Sequence, residues 1–191
     1  MSTPDTGPSA VKAEARRDAR ARRREASAPD ADLIARQCRA FLDTIHGPRR
    51  VASYASYGTE PGTAPLNTAL AEAGFEVLVP RVRGDDLEWA DALTPAAISS
   101  MGIAEPTGQA VPLLPVRALL VPALRVTPDG DRLGKGGGFY DRLLAGLGPA
   151  RPVVAAIVGD GDVVPSLPTQ EHDQRVDVII TPTRTLHCRV T

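Results

Sequence analysis

Across residues 27–48 the apolar positions Leu33, Ile34, Cys38, Phe41, Leu42 and Ile45 recur at three- and four-residue intervals, the signature of one buried helix face. Ser27 or Asp30 supplies an N-cap, and Gly47-Pro48 ends the helix. The preceding stretch, residues 12–26 ("KAEARRDARARRREA"), is rich in strong helix formers but has almost no apolar stripe. It predicts a helix with little to bury. After residue 48 short apolar runs alternate with helical segments. "RVASYASY", "FEVLVPRV", "LEWADA", "RALLVPAL", "PVVAAIVG" and "RVDVIIT" read as strands, while "TAPLNTALAEAG" and "FYDRLLAGL" read as helices. Residues 94–111 read as irregular.

Strands interleaved with helices predict an α/β fold, a single-domain three-layer sandwich around a mostly parallel sheet. Residues 1–11 are small, polar and proline-containing, and are expected to be a disordered tail before one domain spanning residues 12–191. In a sheet of this kind ligands gather beyond the carboxyl ends of the strands, so the strand-to-helix loops are where chemistry is expected.

Composition narrows the classes. A formal net charge of −1 over 191 residues gives no global field that would draw a nucleic acid. Aromatics make up only 4% of the chain, so no stacking platform accompanies the arginines of the first helix, and an RNA-binding role for that helix is the weaker alternative. The 2 cysteines, Cys38 and Cys188, sit in no metal-binding or redox spacing. The longest apolar run, "VPLLPVRALLVPAL", is broken by prolines and Arg117 and is too short to span a membrane. These features lead us to expect a soluble, cytoplasmic monomer.

Three loops carry candidate chemistry. "RLGKGGGFYDR", residues 132–142, follows a buried strand and enters a helix near Gly138. Glycines there let backbone N–H groups approach phosphate oxygens, and Arg132 and Lys135 add positive charge. Asp141 in the first helical turn could hold magnesium beside those phosphates, or simply complement the helix dipole. The spacing matches neither GxxxxGK[ST] nor GxGxxG, so a phosphate loop and a solvated hairpin-like glycine turn both stay open. In "SYGTEPGT", Glu60 at the tip reads by itself as an exposed turn carboxylate, and Thr63 is positioned to cap the next helix. The long loop "GDGDVVPSLPTQEHDQRVD" brings Glu171, His172 and Asp173 together, with His172 read as a hydrogen-bonding residue rather than a metal ligand. On the first helix, Lys12 and Arg16 share a face that Arg20 continues, either as a solvated ridge or as a cationic surface turned to phosphates.

Taken together, "RLGKGGGFYDR" and "LPTQEHDQRVDVIIT", with weaker support from "MGIAEP", "EPGT" and "KAEAR", resemble the 5-formyltetrahydrofolate cyclo-ligase (methenyltetrahydrofolate synthetase) family. The resemblance implies a Rossmann-like topology and a magnesium-dependent reaction of 5-formyltetrahydrofolate with ATP, giving 5,10-methenyltetrahydrofolate, ADP and phosphate. A paralogue using the same ATP-driven cyclisation on another substrate is the alternative. By matching positions, the resemblance assigns ATP to Lys12, Arg16, Arg132, Leu133, Gly134, Lys135, Gly136, Gly137, Gly138, Phe139 and Tyr140. It assigns the folate to Ala55, Glu60, Lys135, Gly136, Gly137, Gly138 and Phe139, the metal to Asp141 and Asp173, and catalysis to Arg132, Lys135 and Asp141. The chain departs from the family's pattern at Arg117, where an acidic residue is common, at "LRVT", and at Phe139, where the aromatic pair is often Tyr-Tyr. Such chemistry needs positioning and charge neutralisation rather than a protein nucleophile, in keeping with the lack of a serine or cysteine triad pattern.

Overall fold

The computed structural model describes residues 7–100 and 102–189. Its helices are α1 (Pro8–Glu25), α2 (Ala31–Thr44), α3 (Ala64–Glu72) and α4 (Phe139–Leu147). The strands are β1 (Arg50–Ala52), β2 (Glu76–Arg83), β3 (Asp86–Asp91), β4 (Ala96–Ile98), β5 (Ala104–Pro106), β6 (Ala118–Pro122), β7 (Arg125–Val126), β8 (Arg132–Leu133), β9 (Val153–Ile157), β10 (Val178–Ile180) and β11 (Thr185–His187).

Seven strands form one sheet in the order β11-β10-β9-β6-β1-β2-β3. The inner pairings β10–β9, β9–β6, β6–β1 and β1–β2 are parallel, and the edge strands β3 and β11 run antiparallel to their neighbours. Side chains alternate between two cores. Val51, Leu120, Ala155, Ile157 and Ile180 face α2 and α3, whose Phe41, Leu42, Leu66 and Leu70 complete that layer. Leu119, Val121, Val154, Ala156 and Ile179 face the opposite side, with Leu144 of α4. This is why the central strands read as unbroken apolar runs, since both faces are buried. Truncating a fully buried residue such as Leu120 to alanine would cost about 2–5 kcal/mol.

Local chemistry sets the helix ends. The Asp30 side chain accepts from the backbone N–H groups of Asp32 and Leu33, capping α2 as expected. Thr63 precedes α3 but makes no side-chain cap; its hydroxyl donates to Tyr54 O and accepts from Ser56 N, tying the β1–α3 loop to itself. Helix α1 begins at Pro8, a residue pre-organised for a first turn, so residues 8–11 belong to the helix rather than to a tail. The remainder of the expected tail, residues 1–6, and Met101 of "MGIAEP" lie outside the described residues. Residues 94–111, expected to be irregular, contain the β4–β5 hairpin. The β7–β8 hairpin sits between β6 and the glycine loop, so Arg132 and Leu133 belong to a short strand, and the loop proper is residues 134–138. Of the strand expected over residues 50–57, only Arg50–Ala52 pairs in the sheet. Among the described residues no helix is long and apolar enough to cross a membrane.

Candidate active site

Strand order places the site. β1 and β6 are neighbours, but the chain leaves β1 towards β2 on one side and β6 towards β9 on the other. Their following segments diverge and open a crevice beyond the strand ends. The crevice is a cavity of about 930 Å³ bounded by the β1–α3 loop, residues 132–142, the inner face of α1 and residues 170–173. Pro80, Val82 and Leu87 from β2 and β3, with Ile103 beside β5, give it an apolar wall. Lys12, Arg16, Ala55, Glu60, Arg132, Leu133, Gly134, Lys135, Gly136, Gly137, Gly138, Phe139, Tyr140, Asp141 and Asp173 all line this one cavity. The structure therefore brings together the residues assigned to ATP, folate and metal, while Glu171 of the acidic loop cluster is not among those lining the cavity.

The glycine loop takes backbone conformations that need its glycines. Gly136 and Gly138 have φ of 111° and 68°, a region that side chains with a Cβ rarely enter. A Cβ on Gly134 would lie 3.2 Å from Arg132 Nη1. Gly138 caps α4 without a side-chain bond, and among the described residues the N–H groups of Lys135, Gly136, Gly137 and Gly138 meet no protein acceptor. Several backbone donors at the entry to a helix form a site suited to an anion. Arg132 lies beneath the loop with its side chain only 3% exposed, its Nη2 2.7 Å from Asp141 Oδ1.

Across the cavity, Glu60 is not the exposed turn residue that its loop suggests. Its side chain is 3% exposed, one oxygen accepts from Tyr57 N at 2.9 Å, and the other is 2.8 Å from Lys135 Nζ. The same ammonium lies 3.1 Å from the centroid of the Tyr57 ring. Burial and, after it, the Glu60 carboxylate raise the phenols of Tyr54 and Tyr140 well above the ordinary tyrosine range, so both stay protonated.

The two aspartates reach the cavity from different elements. Asp141 projects from the first turn of α4, and its Oδ1 accepts from the backbone N–H of Gln174, the residue after Asp173. Asp173 pairs with Lys12 Nζ at 2.5 Å and accepts from Gln170 N. Burial alone would raise the Asp173 carboxyl, but the Lys12 hydrogen bond and the Gln170 amide outweigh it and hold the group below the usual carboxylate range. Among the described residues no group of three or more His, Cys, Asp and Glu side chains could hold a metal ion by itself. Two convergent carboxylates suit magnesium, which keeps several waters and takes further oxygens from substrate phosphates. The His172 side chain is 72% exposed, and its imidazole lies 3.9 Å from Asp173.

Helix α1 docks through polar groups. Lys12 reaches Asp173, Arg16 Nε donates to Gly134 O, Arg20 Nη2 donates to Lys135 O, and Arg23 bonds Ala123 O and Asp162. Its apolar contribution is small: Ala19 is buried against Leu124 and Leu133, with Ala15 beside them. The ridge read from the sequence is thus turned inward. Sequence reasoning missed the Tyr57 ring and carbonyl around Lys135, and it missed the wall at Pro80, Val82 and Ile103. The aromatic residue inside "SYGTEPGT" was the available signal for the first; the second depends on sheet order and carries no local signature.

A family model described as the 5-formyltetrahydrofolate cyclo-ligase family matches residues 8–182. A 5-formyltetrahydrofolate cyclo-ligase of Mycolicibacterium smegmatis is 34% identical over 149 residues, covering 71% of this chain and 75% of that protein. One from Escherichia coli K12 is 28% identical over 142 residues, covering 70% and 78%. The NMR structure of Aquifex aeolicus 5,10-methenyltetrahydrofolate synthetase shares the fold with a TM-score of 0.77 at 24% identity, covering 95% of this chain and 94% of that one. A Mycoplasma pneumoniae 5,10-methenyltetrahydrofolate synthetase does so with a TM-score of 0.70 at 21% identity, covering 88% and 97%.

Proposed function

Because the chain belongs to the 5-formyltetrahydrofolate cyclo-ligase family, we propose that it converts 5-formyltetrahydrofolate and ATP to 5,10-methenyltetrahydrofolate, ADP and phosphate. The formyl group is an amide, so resonance makes both its carbon and its oxygen unreactive. Transfer of the γ-phosphoryl group to the formyl oxygen turns that oxygen into a leaving group. The neighbouring folate nitrogen then adds to the carbon and gives up its proton, and phosphate departs with the original formyl oxygen as the ring closes.

Each part of the cavity has a task in this sequence. The unpaired N–H groups of residues 135–138 and the start of α4 receive phosphate oxygens. Lys135 and Arg132 spread the negative charge that develops as the phosphoryl group moves. Glu60 accepts hydrogen bonds from pterin N–H groups and so sets the direction of the formyl oxygen. The wall of Pro80, Val82 and Leu87 gives flat rings an apolar surface and keeps water from the reacting atoms. Asp141 and Asp173 would hold magnesium, which when bound neutralises part of the phosphate charge. No side-chain nucleophile is required, and Cys38 is fully buried away from the cavity.

The observation that carries this reading is the reach of Lys135. It belongs to the glycine loop and contacts Glu60, so the residues proposed for the phosphate and those proposed for the folate are joined by one ion pair. The direct test follows the near-ultraviolet absorbance of the methenyl product in a mixture of enzyme, 5-formyltetrahydrofolate, ATP and magnesium. Product should form only with all components present. Absence of product from the complete mixture, with another acceptor turned over instead, would replace this substrate with a different one.

A further inference from the structure

We propose that Arg20 is a positioning residue that aims the glycine loop at the nucleotide, an inference that rests on reading this loop as the phosphate site. Its Nη2 donates to Lys135 O at 2.9 Å, and one helical turn earlier Arg16 Nε donates to Gly134 O at 3.1 Å. Two guanidinium groups on one face of α1 therefore hold two successive carbonyls. In a trans peptide the C=O and N–H point in opposite directions, so the Lys135 and Gly136 amides are directed away from the helix. Neither amide meets a protein acceptor among the described residues.

The anchor matters because of the glycines around it. The peptide between Lys135 and Gly136 leads into a glycine at φ 111°, a residue that takes either sign of φ, so its plane turns over at little cost. Turned over, it would present a carbonyl oxygen, rather than a donor, to the phosphates. A charged donor on the carbonyl opposes this more strongly than a neutral one. Arg20 does not hold α1 in place alone. Arg23, on the next turn, bonds Ala123 O and Asp162, and Lys12 bonds Asp173 at the other end. Loss of the Arg20 side chain thus leaves the helix docked and frees only the loop.

The test uses the full-length protein labelled with ¹⁵N, titrated with magnesium and a non-hydrolysable ATP analogue, as wild type, Arg20→Ala and Arg20→Lys. In the wild type the Gly136 amide resonance moves on nucleotide addition. In Arg20→Ala that movement is lost, nucleotide affinity falls about ten-fold and the melting temperature is unchanged, whereas Arg20→Lys regains both signal and affinity in part. An Arg20→Ala protein that binds nucleotide weakly but keeps the wild-type Gly136 response would overturn the proposal, because Arg20 would then touch phosphate directly. Unaltered affinity in Arg20→Ala would overturn it as well. A wild-type Gly136 amide that ignores bound nucleotide would remove the phosphate-loop reading itself, and this inference with it.

Discussion

Lys135 Nζ sits 2.8 Å from a Glu60 oxygen and 3.1 Å from the centre of the Tyr57 ring, so the cation of the glycine loop is held by the carboxylate across the cavity. On the proposed reading a phosphate would compete with Glu60 for this ammonium, and a pterin donating hydrogen bonds to Glu60 would weaken the pair and free Lys135 to move. The two substrates should therefore assist each other, with a coupling of about 5-fold or more. Calorimetric titration of a non-hydrolysable ATP analogue, with and without saturating 5-formyltetrahydrofolate, measures it directly. Glu60→Gln should weaken folate binding by ten-fold or more, as expected for loss of a charged hydrogen-bond acceptor, and abolish the coupling. Equal nucleotide affinity with and without folate in the wild type would show that the ion pair does not link the sites.

Asp141 and Arg132 form a second pair, 2.7 Å apart beneath the loop. Asp141→Asn keeps the size and the contact with Gln174 N but removes the charge that would hold magnesium. Turnover should drop about 10²–10³-fold, the scale for removing one charge-stabilising group at a transition state. The magnesium concentration giving half-maximal rate should rise. A loss of turnover with unchanged magnesium dependence would leave Asp141 as an anchor for Arg132 only.

Two glycines near the site should respond differently to the same substitution. At Gly130, φ is 88° and a Cβ would run into Val176 O, a backbone atom with little freedom to retreat. Gly130→Ala should lower stability by about 2–4 kcal/mol through combined strain and clash. At Gly136 the nearest atom to a Cβ is in the Arg16 guanidinium at 3.5 Å, an ordinary contact. Gly136→Ala should cost only about 1–2 kcal/mol from its positive φ while weakening nucleotide binding. Chemical denaturation and nucleotide titration of both variants separate the effects.

These contrasts indicate what a sequence can disclose. Helix α2 was legible because its apolar face repeats at helical spacing and Asp30 stands at its start. The central strands were legible because burial on both faces makes them continuous apolar runs. The β4–β5 hairpin was not, since all three residues of β4 are exposed and alanine-rich and carry no alternation. Nor was the docking of α1: its inner face is made of Lys12, Arg16 and Arg20, and a hydrophobicity pattern cannot register a helix held by carbonyls and carboxylates. Thr63 stands where a cap is expected, but its hydroxyl is drawn to Tyr54 O by the return of the loop. Glu60 looked like a solvated turn residue because its partner Lys135 is distant in sequence. The residues proposed for the site line one cavity. Their pairing with one another depended on three-dimensional packing.

The pair between Lys12 and Asp173 gives a pH signature. Lys12 is 5% exposed, and its hydrogen bond helps hold the Asp173 carboxyl below its ordinary value of 3.8. A carboxyl depressed in the folded state contributes stability that is present above the unfolded value and is lost as pH falls through the lower folded value. Lys12→Met, which keeps much of the side-chain volume, should destabilise the protein at pH 7 by about 1–3 kcal/mol, less than a fully enclosed pair would. The difference in melting temperature between wild type and variant should stay constant from pH 8 to pH 5, on the linkage argument, and shrink only below about pH 4. Thermal scans across that range give the curve. A difference that already fades between pH 7 and pH 5 would mean that a group other than Asp173 is the partner whose charge Lys12 stabilises. At neutral pH the same variant should raise the KM for ATP more than the KM for the folate, because the ammonium pairs with the carboxylate proposed for the metal. Equal increases in both would place Lys12 outside the phosphate end of the cavity.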